Sequence, residues 1–200
     1  MALKKFFQRE VLEAGCDEAG RGCLAGPVYA AAVILDPMMN IKGLDDSKKL
    51  SEKIREKLRL EIEEKALFWA VGSYTNQEID QVNILKASFY SMHRALDQLG
   101  VNPSLLLIDG NRFIKYKNIE HQCIIKGDSK FQSIAAASIL AKTHRDEFML
   151  KIHAEYPDYH WDQNKGYPTK KHREGIRING ISPYHRLTFQ LLNDPLSLFD

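Results

Sequence analysis

Apolar and polar positions alternate along this chain in two rhythms, one of period two and one near 3.6, and their order is that of an α/β protein. Val11–Cys16 and Pro27–Leu35 read as strands, the second richer in Val, Ile and Ala and so more deeply buried. Leu67–Thr75 is a third. Ser51–Ala66 is charged, lacks Gly and Pro, and sets Ile54, Leu58 and Ile62 at i, i+4 and i+8, the single stripe of an amphipathic helix. A second helix is expected from Val82 to Leu99, with Gly100 as its left-handed stop. Ser104–Ile108 reads as a strand buried on both faces and Glu120–Lys126 as another. Phe131 to about Tyr156 is a long helix, with Ala135, Ile139 and Phe148 inward and Pro157 closing it. From Asp158 the rhythm stops, and aromatic, Gly, His and basic residues dominate. The expected organisation is an α/β core over residues 1–157, and a small helical C-terminal appendage and tail over 158–200, packed as one compact unit.

An apolar content of 44% is that of a globular chain, and the strongly apolar run Val28–Leu35 is far short of the ~20 residues of a membrane span. The N-terminus has no apolar stretch long enough for a secretion signal, so a cytoplasmic location is expected. Cys16, Cys23 and Cys123 are odd in number and lack CxxC spacing, which suits reduced, structural thiols. The formal charge of +2 hides an asymmetry: residues 1–100 carry 14 basic and 15 acidic side chains, residues 101–200 carry 14 and 11. Between Lys165 and Arg186 the basic residues are Lys165, Lys170, Lys171, Arg173, Arg177 and Arg186, opposed by Glu174 alone, with His172 and His185 adding potential charge. Near-neutrality therefore does not exclude a polyanionic partner.

Acidic residues follow three of the apolar strands. Asp109 and Asp128 each stand at or after a strand beside Gly, and Asp17-Glu18 follow the first strand inside Gly15-Cys16-Asp17-Glu18-Ala19-Gly20-Arg21-Gly22. Open α/β sheets place working groups at strand carboxyl ends, so four carboxylates converge on one edge if these strands run parallel. Such a cluster repels itself until a divalent cation relieves it, and an all-oxygen donor set suits Mg²⁺ or Mn²⁺. Adjacent strand residues point to opposite faces, so Asp17 and Glu18 share a site only if a bulge or a strand end re-aims one of them. Taken singly, each acid reads equally well as a turn former or helix cap. The segment Gly20–Gly26 is spaced GxGxxxG and runs into a strand, which excludes a dinucleotide turn. Gly20-Arg21-Gly22 instead exposes backbone amides and lets another molecule approach closely, with Arg21 available to a phosphate.

These motifs, with Asp46-Ser47-Lys48-Lys49-Leu50, Ile108-Asp109-Gly110, Lys126-Gly127-Asp128-Ser129-Lys130, Ala135–Lys142 followed by Arg145-Asp146, and Lys165-Gly166-Tyr167-Pro168-Thr169, resemble those of bacterial ribonuclease HII, in that family's order. The resemblance implies a ribonuclease H-like mixed sheet flanked by helices, with a small helical C-terminal appendage. It also implies hydrolysis of the RNA strand of RNA–DNA hybrids and cutting 5′ of single ribonucleotides embedded in duplex DNA, an activity of ribonucleotide excision repair that leaves 5′-phosphate ends. By the same resemblance Asp17, Glu18, Asp109 and Asp128 are catalytic and hold two Mg²⁺ or Mn²⁺ ions. Gly20, Arg21 and Gly22 read the 2′-hydroxyl, Tyr167 stacks on the next deoxyribose, and Lys48 and Arg186 hold phosphates. His185-Arg186-Leu187-Thr188-Phe189 departs from the family pattern in carrying Thr188 for serine. The tail Asp194–Asp200 resembles peptides that dock on bacterial sliding clamps through a segment such as Leu196–Phe199.

Overall fold

The computed structural model describes residues 3–39 and 41–192. Five strands, β1 (Glu13–Ala19), β2 (Val28–Ile34), β3 (Phe68–Tyr74), β4 (Leu105–Asp109) and β5 (Glu120–Ile124), form one sheet in the order β3-β2-β1-β4-β5. The β1–β2 and β2–β3 pairs are antiparallel, the β1–β4 and β4–β5 pairs parallel. The carboxyl ends of β1, β4 and β5 therefore open on one edge. One face of the sheet, with Ala14, Cys16, Ala32 and Ile108, packs on Met92, Ala95 and Leu96 of α3 (Ile84–Gln98). The other, with Ala19, Ala31 and Val33, packs on Ile139 and Leu140 of α4 (Gln132–Glu155) and on Leu58 and Ile62 of α1 (Glu52–Lys65). Missing side chains set how closely these layers approach. A Cβ on Gly15 would lie 2.3 Å from the Ser133 carbonyl carbon, and one on Gly72 2.4 Å from the Ser91 oxygen.

Several expectations shift. β1 continues to Ala19 rather than ending at Cys16, because β2 supplies one-to-one partners as far as Tyr29, so Asp17 and Glu18 lie within the strand. The helix expected over Val82–Leu99 is α3, and a short helix not expected from the sequence, α2 (Asn76–Val82), precedes it; the two part at Asn83, whose φ of 72° ends the first and whose side chain caps the second by accepting from Lys86 N. The start of α2 is written in sequence as Thr75 and Glu78, a reciprocal capping box. On α1 only Leu58 and Ile62 face the core, with Ile54 exposed beyond the edge of the stripe. After Pro157 the chain makes a 3-10 turn, Pro157–Tyr159, then α5 (Trp161–Asn164) and α6 (Lys170–Asn179). Tyr159, Trp161 and Ile176 bury against Leu24, Ala25, Met149 and Ile152. Among the described residues no helix is long and apolar enough to cross a membrane.

Candidate active site

Alternation along β1 assigns its side chains. Ala14 and Cys16 face α3, and Ala19 faces α4, so Asp17 shares the α4 face while Glu18 leaves the strand on the opposite side. Asp109, the last residue of β4, follows Ile108 and likewise takes the α4 face. Asp128 sits in the 3-10 turn Gly127–Ser129 just past β5, and the Asp109 carboxylate ties that turn down by accepting from Gly127 N at 2.6 Å. One oxygen from each of Asp17, Asp109 and Asp128 lies within 4.8 Å of the other two.

Burial, reinforced by the charges of Glu18 and Asp109, pushes the Asp17 carboxyl well above the ordinary range, against a hydrogen bond from Ser138. Asp128 is raised too, by burial and then by Asp109 and Asp46. Like charges held this close disfavour one another's ionisation, and a cation reverses that effect. The donor set is oxygen alone, which fits a hard divalent ion better than zinc or copper.

Glu18 stands outside this triangle. The β1–β2 ladder carries no bulge to re-aim it, contrary to one of the two routes open in the sequence; it is the last residue but one of the strand, still paired with Ala30. There its Oε1 accepts from Arg21 Nη1 at 3.1 Å, and burial raises its pKa while Arg21 opposes. Asp109 also acts on it, which places Glu18 at the edge of the same field.

Beside the acids lies a cavity of about 200 Å³ walled by Glu18, the Gly20–Gly22 turn, Lys48 and Tyr167. Its remaining walls are Ala19, Ser47, Ser138 and Lys142, of which Ser47, Ser138 and Lys142 were not singled out by sequence reasoning. The i, i+4 spacing of Ser138 and Lys142 on α4 was the available signal. A cavity of about 250 Å³, more apolar and lined by Leu12, Leu35 and Leu67 among others, lies at the opposite end of β1, away from the carboxylates. Burial alone would depress the Lys48 ammonium, but Asp17, Asp46, Asp128 and Asp109 outweigh it and raise its pKa. Its loop is braced by Arg55, which donates to the carbonyls of Ser47 and Leu50 at 3.0 and 2.6 Å.

Tyr167 is 39% exposed, and its carbonyl accepts from His172 Nδ1 at 2.9 Å. That donor leaves His172 Nε2 as an acceptor, from Trp161 Nε1 at 3.0 Å and from His185 Nε2 at 3.2 Å. His185 Nδ1 in turn accepts from Ser182 N at 2.8 Å. Both imidazoles are thus neutral members of a closed network.

The basic segment changes character in three dimensions. Arg186 does not reach solvent, let alone a phosphate: it is 0% exposed and donates to the carbonyls of Gly26, Arg21 and Gly20 at 3.0, 3.0 and 2.8 Å. Burial, then the neighbouring Arg145, lowers its pKa to about 10, so it remains a cation at neutral pH. Lys165, His172 and His185 are buried as well, which leaves Lys170, Lys171 and Arg177 as the exposed cations of this stretch. Thr188 keeps its hydroxyl in use, donating to Asp80 at 2.6 Å. The tail reading at Leu196–Phe199 falls outside the described residues.

The family model described as Ribonuclease HII matches residues 14–192. A curated Ribonuclease HII of Parabacteroides distasonis is 63% identical over 196 residues, 98% of each chain. The RNase HII of Archaeoglobus fulgidus, solved in complex with PCNA, superposes with a TM-score of 0.76 at 25% identity, covering 93% of this chain and 98% of that one. Bst RNase HIII, solved in complex with Mn²⁺, shares the fold, with a TM-score of 0.74 at 22% identity over 90% of this chain and 68% of that one.

Proposed function

The chain belongs to the ribonuclease HII family and is a ribonuclease H acting on RNA–DNA hybrids, and from that premise we propose that it also cuts 5′ of single ribonucleotides embedded in duplex DNA. The observation carrying this reading is the cavity that sets the Gly20–Gly22 turn, Lys48 and Tyr167 against the acidic cluster.

Asp17, Asp109 and Asp128, with Glu18 at the margin, are the residues to hold two divalent ions. When bound, such ions activate a water and stabilise the leaving oxygen of a phosphodiester. That Bst RNase HIII, which shares the fold, is solved in complex with Mn²⁺ supports a divalent ion as the cofactor. Lys48 supplies a fixed positive charge for a phosphate beside the reacting one, held in place by the acids around it. Gly22 has open space where a Cβ would be, so main-chain groups meet a 2′-hydroxyl that DNA lacks. Tyr167, half-exposed at the cavity rim, stacks on the following sugar and tests for its missing hydroxyl.

The test is a DNA duplex with one embedded ribonucleotide, with an all-DNA duplex as control. Cleavage 5′ of the ribonucleotide is expected in Mg²⁺ or Mn²⁺, with none on the control. Asp17→Asn should abolish cleavage and the rise in Tm that the metal alone produces, a gain of about 2.7 kcal/mol at 100 times Kd. Absence of cut product from the intact enzyme, or full activity in Asp17→Asn, refutes the reading.

We also assign the tail, Leu196–Phe199, to the sliding clamp, supported by its sequence and by the archaeal relative solved with PCNA. A chain ending at Asn193 should lose clamp binding in a pull-down; equal capture of both forms ends the assignment.

A further inference from the structure

Behind the cavity, two arginines occupy the interior. Arg145 of α4 and Arg186, beyond α6, are both 0% exposed. Their hydrogen-bond partners are carbonyls throughout. Arg145 donates to Pro27, Lys165 and Ala25 at 3.0, 2.8 and 3.1 Å, and Arg186 to Gly26, Arg21 and Gly20. Among the described residues no carboxylate is hydrogen-bonded to either, and burying a cation among dipoles alone is costly, so such a pair is kept only where its hydrogen bonds are needed.

The carbonyls they gather come from two segments far apart in sequence. One is the loop from Gly20 to Pro27, and the other is Lys165, two residues before Tyr167. The segments also touch directly, through Leu24 N donating to the Gly166 carbonyl at 2.8 Å and through the Cys23 thiol donating to the Lys165 carbonyl at 3.6 Å. Arg145 fits against the turn so closely that a Cβ on Gly20 would fall 2.0 Å from its Nε, whereas Gly22 has nothing within 4 Å on the open side. With the Gly20 and Arg21 carbonyls drawn inward by Arg186, the opposite side of the turn faces the cavity.

We propose that Arg145 and Arg186 are positioning residues for substrate discrimination, locking the Gly20–Gly22 turn and the Tyr167 segment into one body so that a ribose and the sugar after it are tested together. The inference rests on the reading that the turn meets the 2′-hydroxyl and Tyr167 the next sugar. Loss of the lock lets the two contacts drift apart, which weakens cleavage at a single ribonucleotide. A continuous hybrid presents ribose at every step and depends less on the joint test.

The experiment compares Arg145→Lys and Arg186→Lys, which keep the charge and remove the planar fork, with the unaltered enzyme on both substrates. Expected is a fall in kcat/KM on the order of 100-fold at the embedded ribonucleotide, the scale of an ångström's misplacement. On the continuous hybrid, only a few-fold fall is expected, with Mn²⁺ affinity unchanged by calorimetry without substrate. Arg186→Gln should discriminate worse than Arg186→Lys. Equal falls on both substrates overturn the proposal and make the pair purely structural, as does failure of both lysine variants to fold. If the unaltered enzyme cuts the hybrid but not the embedded ribonucleotide, it is the underlying reading that fails.

Discussion

Two glycines three positions from Ala19 or fewer behave as opposites. Gly20 has φ +97° and no space for a Cβ, while Gly22 has open space. Gly20→Ala should cost about 1–3 kcal/mol in urea denaturation, from strain and displacement of Arg145. Gly22→Ala should leave the unfolding midpoint unchanged and lower cleavage at an embedded ribonucleotide about 10-fold, the scale of one lost hydrogen bond. A fall in stability for Gly22→Ala would return it to a folding role. At this scale the chain was easy to read where chemistry is local: Asp109 and Asp128 were legible because carboxylates beside glycine at strand ends are a pattern of neighbours, and Asp17 because it follows an apolar run inside a glycine-rich segment. Glu18 was harder, since its strand parity put it across the sheet from Asp17 and only the strand's end brings it near Asp109's charge.

The elements of the appendage carry a pH dependence of definite sign. Burial, then the proximity of His172, lowers His185 to about 4, and His172 is lowered as well, by burial first. A histidine depressed on folding contributes stability that is complete above its unfolded pKa of 6.5 and is lost as pH falls towards 4. By pH 5 the loss from His185 is about 2 kcal/mol. Asp17 runs the other way: its raised pKa favours the folded state at low pH and is lost as pH rises. Urea midpoints from pH 7 to 4.5 should fall steeply for the native chain and flatten in His185→Gln; parallel curves would disprove the assignment. Element boundaries were legible where caps are written out, as with Ser51 and α1. The helix α2 was missed although Thr75 and Glu78 write out its capping box, because seven residues are too few to set up an apolar period.

For the whole molecule, we infer that residues 1–157 and the appendage unfold together. Leu24, Ala25 and Met149 of the one share a buried cluster with Tyr159, Trp161 and Ile176 of the other, and the buried arginines bridge them. One calorimetric transition with equal van't Hoff and calorimetric enthalpies is expected; two resolved peaks would separate the units. The basic stretch Lys165–Arg186 likewise resolves into buried cations and a smaller exposed set, Lys170, Lys171 and Arg177. By itself the sequence determined the order of the strands and of the longer helices, the acids that cluster at one edge, the glycine turn and the family. All of these are set by residue chemistry and by spacing between near neighbours. Only the tertiary structure decided that Arg186 faces inward, that Tyr167 is tethered through His172, and that Ser138 and Lys142 wall the cavity. The direction of Arg186 depends on the carbonyls of Gly20 and Gly26, some 160 positions away in the chain and adjacent only once it has folded.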